Sequence, residues 1–440
     1  MTGGDRDPGP AHHGRVAAPA TSGSRRGPHG NQPLPDSSAG SPRACPPTRQ
    51  IGDVLGPDWV EQQRAVLVPT YRQRGLALVR GDGAEVYDDA DRRYLDLTSG
   101  YGVAILGYGH PTLTRVLGAQ LGSLHVLHAS FASEVRVRAS RTLLERAGGP
   151  LTHLLWSSSG AEAIEAALKL AVLATGRHRV IACVGGYHGK TLGALSLTHE
   201  PRYRAAFERL LWQVTHLPYG DAEALASALD ERTAAVVVEP LQGESGVVVP
   251  APGYLQAARN ACDASGALLV LDEVQTGVGR TGAFLACHHD RVWPDILCLG
   301  KGLAGGIPVG ATLVREAIAQ AAPRGAHTST FGGNPLACAG TLAVLQAIDD
   351  AMLAAIAAKG EAFMAALRRV GSDAIVAVRG RGLMVAVELS RDRDRTLRRL
   401  QRRGVLALPG GRSAVRFLPP YMITTEQLLE AAETLAEVLT

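Results

Sequence analysis

The stretch ALLVLDEVQTGVGRTG, residues 267–282, decides the architecture. It opens on an unbroken apolar run, Ala267 to Leu271, and passes directly into two acids and a series of glycines. A run that is apolar at every position, rather than at alternate ones, suits a strand covered on both faces, as in a parallel α/β sheet. An acid placed at the end of such a strand is costly to bury unless it is paired.

Working outward, the pattern repeats. Val180–Val184 and Ala235–Val238 are further near-continuous apolar runs, and Leu154–Trp156 reads as a strand. Ala161–Ala174 carries Ala, Leu and Glu at helical spacing. Before this block, residues 84–88 and 93–97 read as two short strands around an Asp-rich turn. After it come a long helix over about 335–370, strands at Met384–Val387 and Ala414–Phe417, and a final helix from about Thr425. The expected fold is α/β, with a large domain around a mostly parallel sheet and a smaller α+β domain. No internal repeat is visible.

Composition narrows the class. The chain has 440 residues, enough for two or three domains at roughly 100–200 residues each. It is 46% hydrophobic and 20% charged, which excludes global disorder. A net charge of +4 is too balanced to argue for nucleic acid or an acidic membrane surface. Residues 1–50 differ: they are rich in Pro, Gly and Arg and hold almost no large apolar residue, so a disordered tail is expected there. The N-terminus lacks the apolar run of a secretory signal, and no long apolar stretch marks a membrane span. The six cysteines are scattered without a CxxC pair, which suits packing in a reducing compartment such as the cytoplasm. No metal site is expected, since adjacent His288 and His289 beside Cys287 lack ligand spacing.

Four segments carry chemistry. Ser157-Ser158-Ser159-Gly160-Ala161 joins a strand to a helix, where exposed amides and the helix dipole favour an anion; a simple serine N-cap is the alternative. Gly185-Gly186-Tyr187-His188-Gly189-Lys190-Thr191 leaves an aromatic ring at a strand's C-terminal mouth, where it could stack on a flat ligand or merely fill a tight turn. Asp272 could pair with a protonated pyridine nitrogen or with an arginine. Of the 45 basic residues only Lys169, Lys190, Lys301 and Lys359 are lysines, and Lys301 follows an apolar strand between glycines. Desolvation and nearby positive charge would lower its pKa, as a Schiff-base lysine needs, whereas a surface lysine would do nothing of the kind. Phosphate cradle, stacking ring, pyridine partner and reactive lysine at the strand ends of one sheet are the parts of a pyridoxal 5′-phosphate site.

In combination, THLLWSSSGAEA, GYHGKT, VEPLQGESG, DEVQTGVGRTG, GKGLAGGIP and STFGGNPLACAG resemble the class III (ω-amino acid) aminotransferases of the aspartate aminotransferase fold type. YLDLTSGYGVAILGYGHP and RFLPPYMI are similar to the acetylornithine/ornithine branch, which includes relatives acting on a carrier-linked lysine. The resemblance implies PLP fold type I, with a seven-stranded sheet and a small domain drawn from both chain ends. It places the small domain in 51–100 and 341–440 and the large, cofactor-binding domain in 101–340. It implies that Lys301 binds the cofactor and moves the proton, that Asp272 meets the pyridine nitrogen, and that Tyr187 stacks on the ring. Val274 would lie behind the ring and Gln275 near its phenolic oxygen. Ser159, Gly160, Ala161 and His188 complete the cofactor contacts, and Thr330 would reach the phosphate of the neighbouring subunit of a homodimer. Arg416 would grip the α-carboxylate of 2-oxoglutarate or glutamate, with Glu244 masking it while an ω-amine donor is bound; a static ion pair is the alternative. Tyr71 and Tyr101 fall where substrate-orienting tyrosines occur. An acidic amino-group carrier protein is an admissible partner.

Three positions depart from the family pattern: Ile164 for a frequent Asn, Lys190 for a common Arg, and Tyr108 for a common His. They leave the donor open among acetylornithine, ornithine, carrier-linked diamines and other ω-amines. Aminomutases and decarboxylating relatives share the cofactor motifs but have less use for the Glu244–Arg416 pair. No GxGxxG follows an early strand with an acidic residue about 20 positions later, as a dinucleotide-binding dehydrogenase would need.

Overall fold

A computed structural model describes residues 58–440. The expected tail over 1–50, with Cys45, lies outside them. A short helix, Trp59–Val66, starts on Asp58, whose side chain accepts the Glu61 amide, and it buries none of its residues. The chain from Pro69 onward forms a separate compact unit that holds everything described below.

Three strands open this unit: β1 (Leu78–Asp82), β2 (Glu85–Asp88) and β3 (Arg93–Asp96). They pair as an antiparallel meander. The central sheet follows, with β4 (Leu151–Ser157), β5 (Arg179–Cys183), β6 (Val214–Leu217), β7 (Thr233–Val238), β8 (Leu268–Asp272), β9 (Ile296–Leu299) and β10 (Gly310–Arg315). Their spatial order is β4-β10-β9-β8-β7-β5-β6. Only β10 runs antiparallel to its neighbours, so the sheet is mostly parallel. The apolar runs behave as two-sided burial demands: every residue of β7 and β9 is buried.

The last part of the chain contributes β11 (Ile375–Arg381), β12 (Met384–Leu389), β13 (Val405–Leu406), β14 (Leu408–Gly410) and β15 (Ala414–Phe417). Four of these make an antiparallel sheet in the order β11-β12-β15-β14, while β13 crosses to pair in parallel with β3. The two ends of the unit thus share a sheet.

The helix expected over 335–370 is two helices, Pro335–Ala347 and Asp350–Arg369, bent by 73° at a short break. The break has a local cause. Ile348 leaves helical geometry, and Asp349 restarts the helix as an N-cap that accepts the Met352 amide at 2.8 Å. Among the described residues no single helix is long and apolar enough to cross a membrane.

What the fold achieves for function is alignment. β4, β5, β7, β8 and β9 all point the same way, so the residues just past their C-termini share one edge. That edge receives Gly160, Tyr187, Glu239, Asp272 and Lys301, in an open α/β sheet the usual place for a ligand.

Candidate active site

Asp272 is the last residue of β8 and is almost fully buried. One carboxylate oxygen meets His188 Nδ1 at 2.7 Å, and the other accepts the Val274 amide at 3.0 Å. His188 is buried too, and its own amide donates to Thr198 Oγ1 at 3.0 Å. Burial pulls the imidazole down, but the Asp272 bond and the charges of Asp272 and Glu239 outweigh it, so its pKa lies above the usual histidine value. The ring orients the carboxylate from one side. No arginine pairs with Asp272 among the described residues, so the salt-bridge alternative fails.

Lys301 begins the turn after β9. Its φ of +45° lies in the left-handed region, rare for a residue with a side chain. The flanking glycines explain how it is held there. A Cβ on Gly300 would stand 3.1 Å from Gly160 Cα, and one on Gly302 would stand 2.6 Å from Ile105 Cγ2. The turn is pressed against the phosphate-type loop on one side and a core isoleucine on the other. Burial drives the Lys301 amine below the ordinary lysine range, with Glu244 and Asp272 opposing that shift and Arg416 adding to it. Its Nζ makes no hydrogen bond among the described residues.

Ser159 caps the helix Gly160–Thr175, its side chain accepting the Glu162 amide at 3.2 Å. The serine N-cap reading is therefore correct, and it is compatible with anion binding, because the Gly160 and Ala161 amides at the helix start remain without acceptors among the described residues. Gly160 has no room for a side chain: a Cβ would lie 2.5 Å from Val274 Cγ1. Val274 thus packs directly beneath the loop.

Tyr187 stands partly buried at the mouth, edge-on to Tyr203 at 5.9 Å. Its phenol is pushed up to about 12, first by burial and then by Glu244. Lys190 sits 3.0 Å above the Tyr203 ring, and burial followed by Arg202 lowers its amine to about 8. Across the mouth, Arg416 lies in β15 with no exposed surface. Its Nη2 is 2.8 Å from Glu244 Oε1, and its Nη1 donates to Gln275 Oε1 at 3.0 Å. Neither Nε nor Nη2 makes an aligned hydrogen bond, so the guanidinium keeps unused donors. Glu244 is held low despite its burial, chiefly by Arg416 and Lys301.

Other expected residues stand apart. Tyr71 and Tyr101 are exposed on the surface, although Tyr71 is near enough to Tyr187 to bear on its ionisation. Thr330 is exposed in the loop before the helix Pro335–Ala347. His288 and His289 diverge, one toward the Ala147 carbonyl and the other toward Thr281. Ile164 is core, and the Tyr108 hydroxyl donates to Asp96 at 2.8 Å.

One residue of the edge was not singled out from sequence. Glu239, directly after β7, is buried, and its two oxygens accept the Tyr187 amide at 2.9 Å and the Gly243 amide at 3.1 Å. The signal was present: an acid one step past an apolar strand, the same pattern that drew attention to Asp272.

Comparison with known proteins agrees with this geometry. The family model "Aminotransferase class-III" matches residues 68–439. An acetylornithine aminotransferase of Methanopyrus kandleri is 43% identical over 84% of this chain and 96% of its own length. A provisionally named LysW-aminoadipate semialdehyde/glutamate semialdehyde transaminase of Pyrococcus horikoshii is 41% identical over 81% of this chain and 94% of its own. Among solved structures, an ornithine aminotransferase of Toxoplasma gondii is 34% identical with a TM-score of 0.83, covering 86% of this chain and 93% of that one. The chain belongs to the class III aminotransferases and is a pyridoxal-phosphate-dependent enzyme. Its residues fit that cofactor: two helix-start amides without acceptors, glycines where any Cβ would close the seat, a buried carboxylate with a free lysine amine on the adjoining strand end, and an arginine with unspent donors.

Proposed function

We propose that this class III aminotransferase moves the terminal amino group of an ornithine- or acetylornithine-like donor to 2-oxoglutarate, giving a semialdehyde and glutamate. The observation that carries this reading is the pair Arg416–Glu244 at 2.8 Å, facing the same edge as Lys301. A planar guanidinium suits two-point grip on a carboxylate. Covered by Glu244, it does not compete for a donor that enters amine first; uncovered, it receives the keto acid. One pocket then serves two differently shaped substrates in turn.

When bound, pyridoxal phosphate supplies an electrophilic carbon and an electron-withdrawing ring. Lys301 Nζ would hold the cofactor and would carry the proton to and from the donor's amine-bearing carbon. Burial holds its basicity below the ordinary lysine range, which favours a proton-carrying role. Asp272, oriented by His188, would hold the pyridine nitrogen protonated. Gly160 and Ala161 would hold the phosphate through their amides, with Ser159 shaping the loop. Tyr187 and Val274 would hold the cofactor ring between them, and Gln275 would hold its phenolic oxygen. Thr330 completes the phosphate site of the partner subunit, so the working unit is a homodimer. From the exposed rim, Tyr71 and Tyr101 would orient the donor as it enters.

Borohydride reduction of the resting enzyme followed by peptide mapping should place the label on Lys301, and Lys301→Ala should abolish glutamate formation from 2-oxoglutarate. A label on another peptide, or turnover in the variant, would refute the assignment. The similarity to the Pyrococcus horikoshii protein favours one second reading, a donor tethered to an acidic carrier protein. Rates with free, N-acetylated and carrier-bound diamines separate the two.

A further inference from the structure

Glu239 has a part to play that the reaction itself does not name. Its carboxylate divides between two segments. Tyr187, which donates to Oε1, belongs to the turn after β5; Gly243, which donates to Oε2, precedes Glu244 in the segment after β7. The same two segments are joined twice more. Gln242 Nε2 donates to the Val184 carbonyl at 2.8 Å, and Ser245 Oγ donates to the Gly185 carbonyl at 2.5 Å. The contact leaves no slack: Gly185 has φ +81°, and a Cβ there would lie 2.7 Å from both Gln242 Oε1 and Ser245 Oγ.

The far side of the Glu244 segment is held as well. A Cβ on Gly243 would come within 2.1 Å of Gln275 Oε1, the same oxygen that accepts from Arg416. The Glu244 carbonyl accepts the Gly411 amide at 2.6 Å. The backbone around Glu244 is therefore fastened on both flanks, while its side chain stays partly exposed toward Arg416.

We propose that Glu239 is a positioning residue that fastens the turn carrying Tyr187 to the segment carrying Glu244, so that the two move as one body and only the Glu244 side chain swings when donor gives way to acceptor. The chemistry explains why a carboxylate stands here. An ionised carboxylate offers acceptors on both oxygens and no donor, so it can take two opposed amides at once. Glutamine would satisfy one amide and turn its own NH₂ toward the other. The inference rests on the reading that ring seat and carboxylate gate belong to one site, but its test does not depend on which amine is transferred.

The test is hydrogen–deuterium exchange with mass spectrometry on the cofactor-loaded enzyme at pH 8, comparing wild type with Glu239→Gln and Ser245→Ala. In Glu239→Gln, peptides spanning 184–190 and 240–247 should both exchange faster, by roughly tenfold for the loss of one such bond. Peptides covering β8 should be unchanged. Ser245→Ala should speed the same two segments by a smaller factor. In steady-state assays, KM for both donor and 2-oxoglutarate should rise together in Glu239→Gln. Faster exchange in one segment alone, no change in either, or a uniform rise across the sheet would overturn the proposal. If Glu239→Gln does not fold, Ser245→Ala decides by the same paired criterion. Because amides are read directly, an error about the substrates would leave this result unaffected.

Discussion

Two arginines, Arg280 and Arg416, are both almost completely buried, yet they are kept there in opposite ways. Arg280, in the loop after β8, donates from Nη1 to the Leu383 and Pro419 carbonyls at 3.0 and 2.6 Å and lies 4.8 Å above the Tyr421 ring. Its partners are backbone, which cannot leave. Arg416 faces Glu244 and Gln275, whose side chains can. The first ties the cofactor edge to the C-terminal sheet; the second is a charge with exchangeable company. Burial alone therefore does not mark a functional arginine. What separates the two is whether the partners are side chains that can move or backbone that cannot.

The largest effect should come from removing the exchangeable charge. Arg416→Met should lower kcat/KM for 2-oxoglutarate by about a hundredfold or more, as loss of a buried charged contact does. The thermal midpoint should move little, and the donor half-reaction followed by absorbance should be much less affected. Equal losses in both half-reactions would erase the distinction from Arg280.

Next, Arg280→Met should act on the fold. Two buried carbonyls lose a charged donor, a cost on the order of 3 kcal/mol by urea unfolding. The protein that remains folded should keep near-normal KM values for both substrates. A selective rise in KM for the keto acid would mean that Arg280, too, serves the substrate.

A smaller, roughly tenfold change is expected for Glu244→Gln, which weakens the cover over Arg416. The donor half-reaction should slow while KM for 2-oxoglutarate stays level or falls. A rise in that KM would show that Glu244 supports Arg416 rather than masking it.

The smallest effect concerns Glu239, a buried charge with backbone partners, like Arg280, but beside the reacting edge. Burial raises its pKa from 4.5 to about 7, with His188 lowering it and Asp272 raising it. The folded state thus holds this proton more tightly than the unfolded one. The stability it brings is complete below about pH 4.5 and is lost as the pH climbs through about 7. Unfolding midpoints measured from pH 5 to 8 should decline less steeply in Glu239→Gln than in wild type; parallel profiles would contradict this.

Much of this was legible beforehand because strand burial writes itself into composition. β7, β8 and β9 were visible as apolar runs, and Asp272 and Lys301 as polar residues placed just past such runs. The capped helix at Gly160 was readable from Ser159 and the small residues after it. What escaped had weaker local signals. The bend at Ile348 depends on one N-cap aspartate within an otherwise helical stretch. The antiparallel course of β10 has no sequence mark, since an apolar run looks alike in either direction. Glu239 was passed over because an acid beside a proline reads as a loop residue until its two amide partners are known.

The residues by themselves determined the layered α/β class, the candidate reactive lysine and the acid expected opposite it, because periodicity and the cost of burying charge are local properties. Only the tertiary structure decided that Arg416 meets movable side chains while Arg280 meets backbone, that His188 turns Asp272, and that one carboxylate joins the segments of Tyr187 and Glu244. Those facts arise where strands far apart in the chain end side by side, and hydrogen-bond geometry there is settled by packing rather than by neighbours in sequence.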